Sequence, residues 1–215
     1  MEFITTPVEI EKKSFEIITE LLEGKEHLGV NAPIIKRVIH ATADFEYLDN
    51  LVFSENVFER SIDTLRCGCR VITDTQMAKS GINKRSLEKL GGSAHCFVDA
   101  VDVMKSAEEK GVARSAVAME YAIQQLNGPY IFAIGNAPTA LIQLYDLIQN
   151  GLCQPRLIIG VPVGFVNVVE SKELIMKLDV PFIVSQGRKG GSSVAAAICN
   201  ALIYEALARW KDVTS

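Results

Sequence analysis

His40 is the first candidate for a residue that transfers protons. It stands in the run Lys36–His40, near the end of a helix that Pro33 is expected to start after Asn31. Arg37 stands three residues earlier, so both side chains are expected to project from one helical face. An imidazole beside a cation is suited to donating a proton to an acidic ligand. The alternative is a histidine that only interacts with the dipole at the helix C-terminus.

The other candidates for catalysis give weaker signals. Asp44, four residues after His40, is a candidate for orienting or charging its ring. His27 stands in a charged turn, and His95 stands at the expected start of a strand. No serine has a histidine partner by motif, and the G-x-S-x-G pattern of a nucleophile elbow is absent. A reaction that needs only a proton and a tightly held ligand fits these residues.

Three glycine turns in the second half of the chain form the strongest binding pattern. Each turn follows an apolar, strand-like run and precedes a helix; the turns are Gly135–Thr139, Gly160–Phe165 and Gly187–Ser193. In open α/β sheets, ligands bind where the carboxyl ends of strands meet the amino ends of helices. Free backbone N–H groups and helix dipoles favour anions at that edge. The sequence therefore predicts one rim that binds an anionic ligand.

Basic residues accompany these turns. Lys172, Arg188 and Lys189 stand near them, and Arg114 opens a helix. Solvated surface charge is the default interpretation for each. The run Gly187–Ser192 nevertheless places two cations and several free amides in one turn, which suits carboxylates or phosphates. The fingerprints of dinucleotide-binding and P-loop proteins are both absent, which weakens a nucleotide hypothesis.

The hydropathy pattern predicts the elements that position these residues. The first third is expected to be helical, and from Arg70 onwards short apolar strands alternate with helices. Such alternation indicates a parallel sheet that is covered on both faces. We predict a single α/β domain over residues 1–215, a three-layer flavodoxin-like sandwich with a mainly parallel five-stranded sheet and extra N-terminal helices. The predicted strands are Arg70–Thr73, Ala94–Val98, Ile131–Ile134, Leu157–Ile159 and Phe182–Val184.

Composition narrows the classes of partner. The formal net charge of −4 over 215 residues argues against a general nucleic-acid binder. No apolar stretch reaches the roughly 18–20 residues of a membrane span, and Met1-Glu2-Phe3 starts without the features of a secretory signal. We therefore expect a cytoplasmic protein. The five cysteines are scattered and include a C-x-C pair rather than C-x-x-C, so we expect buried, reduced thiols and no metal site.

Several blocks of residues resemble the precorrin-8X methylmutase family of cobalamin biosynthesis. They occur in the expected order over nearly the whole chain and are more specific than any single glycine motif. The blocks are Lys13-Ser14-Phe15, 37–41, 113–116, 135–141, 160–166, Glu170-Ser171-Lys172 and 187–192.

The resemblance implies an isomerase that moves the C11 methyl group of precorrin-8X, or of cobalt-precorrin-8, to C12. The product is hydrogenobyrinate or cobyrinate. The resemblance also implies a homodimer whose ligand lies in a cleft to which both subunits contribute. The histidine that matches His40 is the proton donor and acceptor of the family. Residues that match Ser14 and Arg37 contact the ligand, and the one that matches Arg114 lies at the site.

This chemistry agrees with the residues described above. A [1,5] methyl shift within one molecule needs no redox cofactor and no methyl donor, so no cofactor is expected. A tetrapyrrole that carries carboxylates would be held by basic side chains and helix amino ends. A non-catalytic tetrapyrrole carrier remains the alternative. The further substrate contacts that we expect are Asn136, Thr139, Lys172, Arg188, Gly191 and Ser192.

Overall fold

A computed structural model of the chain describes residues 3–22 and 26–214, apart from the side chains of residues 26, 27 and 210–214. Met1 and Glu2, which belong to the segment without signal features, therefore lie outside the described residues, and so does the side chain of His27.

The chain forms helices in its first fifty residues and then alternates strands with helices. A short 3₁₀ segment, Glu26–Asn31, separates the first two helices. The elements are, in chain order, α1 Pro7–Leu21, α2 Ala32–Thr42, α3 Tyr47–Asn50, β1 Leu51–Phe53, α4 Val57–Arg66, β2 Arg70–Thr73, α5 Gln76–Gly81, α6 Lys84–Lys89, β3 Ser93–His95, α7 Val101–Lys110, α8 Arg114–Gln125, β4 Tyr130–Ile134, α9 Pro138–Gln149, β5 Leu157–Gly160, α10 Val168–Met176, β6 Phe182–Ser185 and α11 Ser192–Thr214.

One six-stranded sheet organises these elements, in the order β1-β6-β5-β4-β2-β3. Strands β2 to β6 pair in parallel, and only β1 runs antiparallel to its neighbour β6. The order of the parallel strands, β3-β2-β4-β5-β6, is the order 2-1-3-4-5 of flavodoxin-like sheets. The predicted α/β architecture and its mainly parallel sheet are therefore confirmed.

The prediction of five strands is wrong by one, because it misses β1. This strand has only three residues, Leu51–Phe53, too few for an alternating pattern to stand out in the sequence. Its conformation depends on the neighbouring strand, since Leu51 pairs with Ser185 and Phe53 with Ile183. The pairing of β1 with β6 therefore creates a strand that the local sequence pattern does not predict.

Two apolar cores lie on the two faces of the sheet. Residues of β4 alternate between them: Ile131 and Ala133 join the core beneath α2, α4 and α11, whereas Phe132 and Ile134 join the core beneath α7 to α10. This period of two is the geometry of a strand that is buried on both faces. The result is the expected sandwich of three layers. Of the helices that the structure describes, none is long and apolar enough to cross a membrane.

The two helices that carry Ser14 and His40 lie on the outside of one layer. α2 packs against α11 through a buried face that includes Val38 and Ile39, and it ends at Ala43 in a left-handed conformation with φ 54°. His40 lies in the last turn on the exposed side. α1 packs on α2 and buries Ile18, but most of its other apolar side chains are exposed.

Candidate functional site

A groove with a volume of about 540 Å³ lies between α1 and the C-terminal end of α2. His40 and Ser14 line it together with apolar residues that include Ile17 and Phe45. Further apolar surface comes from Phe3, whose side chain is 77% exposed. The groove thus places one imidazole in a largely apolar wall, as is typical of sites for small molecules.

The imidazole of His40 is held from one side and open on the other. Its Nδ1 lies 2.8 Å from the hydroxyl oxygen of Ser14, and its ring stacks on Phe15 with centroids 5.1 Å apart. Nε2 has no hydrogen-bond partner among the described residues. Because a hydroxyl can donate or accept, Ser14 can support either tautomer of the ring. The arrangement is suited to a group that gives a proton and later takes one back.

Asp44 does not orient this ring; it forms an ion pair with Lys189. The left-handed residue Ala43 separates Asp44 from the helix, and the Asp44 carboxylate also accepts the N–H of Glu46. The Lys189 ammonium lowers the pKa of Asp44. Lys189 contacts Glu46 as well, at 2.9 Å. These contacts join the end of α2 to the third glycine turn.

Arg37 lies beside the His40 groove but does not line it. Its guanidinium lies over the rings of Phe15 and Tyr204, at 5.0 and 4.7 Å from their centroids. It also donates to the Glu11 carboxylate at 3.1 Å. The predicted ligand contact is thus engaged by protein groups in this structure, although 22% of its side chain is exposed.

The three glycine turns meet at the carboxyl edge of the sheet, as the sequence predicts. Gly191 donates its N–H to the carbonyl of Val161 at 2.9 Å. A Cβ on Gly135 would lie 2.7 Å from the carbonyl oxygen of Gly191, and a Cβ on Gly190 would lie 2.1 Å from that of Val161. The backbones of the turns therefore approach each other more closely than any other residue type allows.

The first of these turns is filled by a carboxylate of the protein itself. The N–H groups of Gly135, Asn136 and Ala137 donate to the carboxylate of Asp74 at 3.0, 2.8 and 2.6 Å. Asp74 is 2% exposed, and this burial raises its pKa, against the effect of the three N–H donors. The sequence analysis missed Asp74. Its position directly after β2 is the signal that could have found it, because strand ends point to this edge.

A second groove, of about 400 Å³, opens beside the filled turn. Arg114 and Asn136 line it, together with the carboxyl-bearing residues Asp74 and Asp99. It shares no lining residue with the His40 groove. The structure therefore brings Arg114 and Asn136 together, but it leaves them apart from His40 within one copy of the chain.

The remaining predicted polar residues of this edge bond to one another. The hydroxyl of Thr139 lies 2.8 Å from that of Ser115, and the hydroxyl of Ser192 lies 2.8 Å from that of Thr75. Each pair joins the amino end of one helix to another element of the fold. The hydroxyls are thus engaged in the structure, and their predicted contacts with a ligand stay predictions.

Lys172 and Arg188, both predicted contacts, differ in exposure. Lys172 is 1% exposed and donates from Nζ to the carbonyl oxygens of Gly187 and Lys189, both at 2.8 Å. Burial lowers its pKa to about 8. Arg188 is exposed, with its guanidinium 5.9 Å from the ring centroid of Phe165. Of the two, only Arg188 faces solvent.

Cysteines and metals add little to this site. Cys69, Cys153 and Cys199 are buried, as expected, but Cys67 is exposed. Burial raises the pKa of the Cys153 thiol to about 11, so this thiol stays protonated at neutral pH. Among the described side chains, no three His, Cys, Asp or Glu residues are grouped so as to hold a metal ion.

The sequence and the fold both match known proteins. The profile of the family Precorrin-8X methylmutase matches residues 9–205. The chain is 45% identical to the cobalt-precorrin-8 methylmutase of Priestia megaterium, over 91% of this chain and 87% of the relative. It is 44% identical to the cobalt-precorrin-8 methylmutase of Salmonella typhimurium, over 95% of this chain and 98% of the relative.

A solved structure resembles the whole fold. The precorrin-8X methylmutase of Thermus thermophilus superimposes with a TM-score of 0.85 and 35% identity, covering 93% of this chain and 98% of that chain. The chain therefore belongs to the precorrin-8X methylmutase family, isomerases of cobalamin biosynthesis.

Proposed function

We propose that this enzyme moves the C11 methyl group of precorrin-8X or cobalt-precorrin-8 to C12, with His40 assisting by proton transfer. Family membership supplies the reaction class. The observation that carries the role of His40 is its exposed imidazole, held at Nδ1 by Ser14 and open at Nε2 in an apolar groove. The product is hydrogenobyrinate or cobyrinate.

The proposed step is balanced without a cofactor. The bond between C11 and the methyl carbon breaks as the bond between C12 and that carbon forms. His40 protonates a ring nitrogen of the macrocycle, which makes the conjugated system more electron-poor and eases the migration. The same imidazole then takes a proton back, so no net proton is consumed. Ser14 acts on the tautomer by donating to, or accepting from, Nδ1.

Binding of the macrocycle would contribute through orientation. The apolar wall of the His40 groove suits the faces of a tetrapyrrole, and the basic residues Arg114 and Arg188 suit its peripheral carboxylates. Because Lys172 is buried, it would affect this binding indirectly, by holding the turn 187–189 that it contacts. Arg37, beside the groove, would bind a further carboxylate of the ligand, either in place of Glu11 or while it still contacts Glu11.

We further propose a homodimer with the reaction site near the subunit interface. Two observations support it. The His40 groove and the Arg114 groove are separate in one copy, and α1 exposes apolar side chains such as Val8 and Leu21, at 75% and 60%. A second copy seated near α1 would cover this apolar face and supply charged residues to the groove.

Incubation with substrate tests the proposal. Purified enzyme is mixed with precorrin-8X or with cobalt-precorrin-8, and the change in absorption to the corrin product is followed. His40→Ala is expected to lower the rate about 10²- to 10⁴-fold while product still binds. His95→Ala is the matched control, because His95 lies on β3 and bonds to Ser93 rather than lining the groove.

Two outcomes would contradict the proposal. Conversion by His40→Ala at the wild-type rate would remove the proton-transfer role. Tight product binding without any conversion by the wild-type protein would instead indicate a tetrapyrrole carrier.

Sedimentation of the same samples tests the dimer. The expectations of one domain over residues 1–215 and of a cytoplasmic location stay predictions.

A further inference from the structure

Lys172 is a buried cation without an anion. Its ammonium contacts the carbonyl oxygens of Gly187 and Lys189, and no carboxylate among the described residues forms an ion pair with it. A buried charge that is balanced only by neutral dipoles is costly to keep. The proposed methyl shift does not use it directly. Its position therefore needs another explanation.

Hydrogen bonds to two carbonyl groups orient the N–H groups of this turn: Lys172 contacts both carbonyls, and the Ser185 hydroxyl also donates to that of Lys189 at 2.8 Å. In a trans peptide the C=O of one residue and the N–H of the next point in opposite directions, and the described chain has no cis peptide. Since the carbonyls of Gly187 and Lys189 point toward Lys172, the N–H groups of Arg188 and Gly190 point away from it. Neither N–H has an acceptor among the described residues.

Several positive groups are thus directed to the outer side of one turn. Two unpaired N–H groups, the exposed guanidinium of Arg188 and the start of the 23-residue helix α11 at Ser192 lie within a few residues. The charge of Lys172 lies behind the turn and polarises the same peptides. Successive free N–H groups in a turn form a nest that binds anions, and a helix amino end strengthens it.

We propose that the turn Gly187–Gly190 is a seat for a carboxylate of the tetrapyrrole, and that Lys172 is its positioning residue. Lys172 orients the two peptides and supplies the balancing charge without touching the ligand. This inference rests on the proposed function, because it takes the tetrapyrrole as the source of the carboxylate. It assigns to Lys172 an indirect role in place of the predicted direct contact.

The seat should depend on pH in a particular direction. Because burial lowers the pKa of Lys172 to about 8, the ammonium is lost as the pH rises through this value, while ligand carboxylates stay ionised. Lys172 belongs to α10, which packs against α9, β5 and β6. Of these three elements only α9 carries ionisable side chains, Tyr145 and Asp146. On the turn itself, Arg188 is exposed and Lys189 is paired with Asp44 and Glu46.

The experiment compares wild-type protein with Lys172→Gln and Lys172→Met. Hydrogenobyrinic acid and cobyrinic acid are titrated in at pH 7 and at pH 9.5, and the dissociation constant is followed by absorption. Lys177→Gln is the matched control, because Lys177 is an exposed lysine at the end of the same helix. Wild-type and control affinities should weaken about tenfold at pH 9.5. The Lys172 variants should bind about tenfold more weakly at pH 7 and lose most of this pH dependence.

A second measurement covers the case in which the Lys172 variants fail to fold. In wild-type protein labelled with ¹⁵N, product binding should shift the amide resonances of Arg188 and Gly190. The outcomes separate this proposal from the proposed function. Conversion of substrate by a protein whose Arg188 and Gly190 amides do not respond to product would overturn the seat alone. So would folded Lys172 variants that bind as wild type does, or amides that respond to inorganic phosphate but not to product.

Discussion

Two of the glycine turns look alike in sequence but have opposite polarity. At Gly135–Ala137, three N–H groups point inward to the carboxylate of Asp74. At Gly187–Lys189, two carbonyl groups point inward to the ammonium of Lys172. In the first turn the Asp74 carboxylate already accepts from the N–H groups, whereas the second turn directs free N–H groups outward. A glycine turn at the carboxyl edge of a sheet is therefore a binding site only if its N–H groups are left free.

Removing Asp74 should produce the largest effect on stability. Asp74→Ala leaves three N–H groups without their acceptor, and we expect a loss of about 3–4 kcal/mol in the free energy of unfolding. Urea denaturation measures it. Added formate or acetate, which can fill the vacated position, should restore part of the loss, and Asp74→Asn should cost less than Asp74→Ala. A change below about 1 kcal/mol would contradict the view that this turn depends on its own anion.

Glycine substitutions test the close approach of the turns. Gly190→Ala places a Cβ 2.1 Å from a backbone oxygen, so we expect a loss of about 2–3 kcal/mol, because backbone must shift. Gly187→Ala is the matched control in the same turn. Its added Cβ would meet no atom within 4 Å. The only expected cost is the strain of a left-handed backbone with φ 71°, about 1 kcal/mol. Thermal denaturation compares the two variants, and equal losses would mean that packing between the turns is unimportant.

The buried ammonium should also affect stability with pH. The pKa of Lys172 is lowered from 10.5 to about 8, so between these values the unfolded chain binds the proton and the folded chain does not. Stability from this group therefore rises with pH from about 8 to 10.5. The gain is at most about 3 kcal/mol. Subtracting the pH profile of Lys172→Gln isolates it from other groups, and a difference without slope would contradict the lowered pKa.

The smallest effect is expected where the N-cap residue of α5, Thr75, bonds to Ser192 at the start of α11. Thr75 and Ser192 share one hydrogen bond of 2.8 Å between hydroxyls. Ser192→Ala should cost about 1 kcal/mol or less in the free energy of unfolding. It should weaken product binding less than the Lys172 variants do, because the peptides of the 187–190 turn stay in place. Titration of product checks this order, and the reverse order would move the seat from the turn to the start of α11.

Much of the fold was predictable because its signals are local. Apolar runs and glycine turns identify the central strands and the edge where they end, and five of the six strands follow from them. The short strand β1 could not be predicted, because its extended conformation comes from pairing with β6. His40 was a candidate from the residue pattern, Ser14 was added by resemblance, and the structure places the Ser14 hydroxyl 2.8 Å from the His40 ring. Whether Asp44 orients His40 could not be decided from local spacing, because the ion pair that Asp44 forms with Lys189 spans 145 positions.

The sequence by itself determined the residue types at the rim, the glycines that close approach requires and the order of the elements. These depend on backbone sterics and on hydropathy, which act between near neighbours in the chain. Only the tertiary structure decided which turn is filled and which is open. That choice depends on the peptide orientations, and these are set by the aspartate that follows β2 in one turn and by a lysine of α10 in the other.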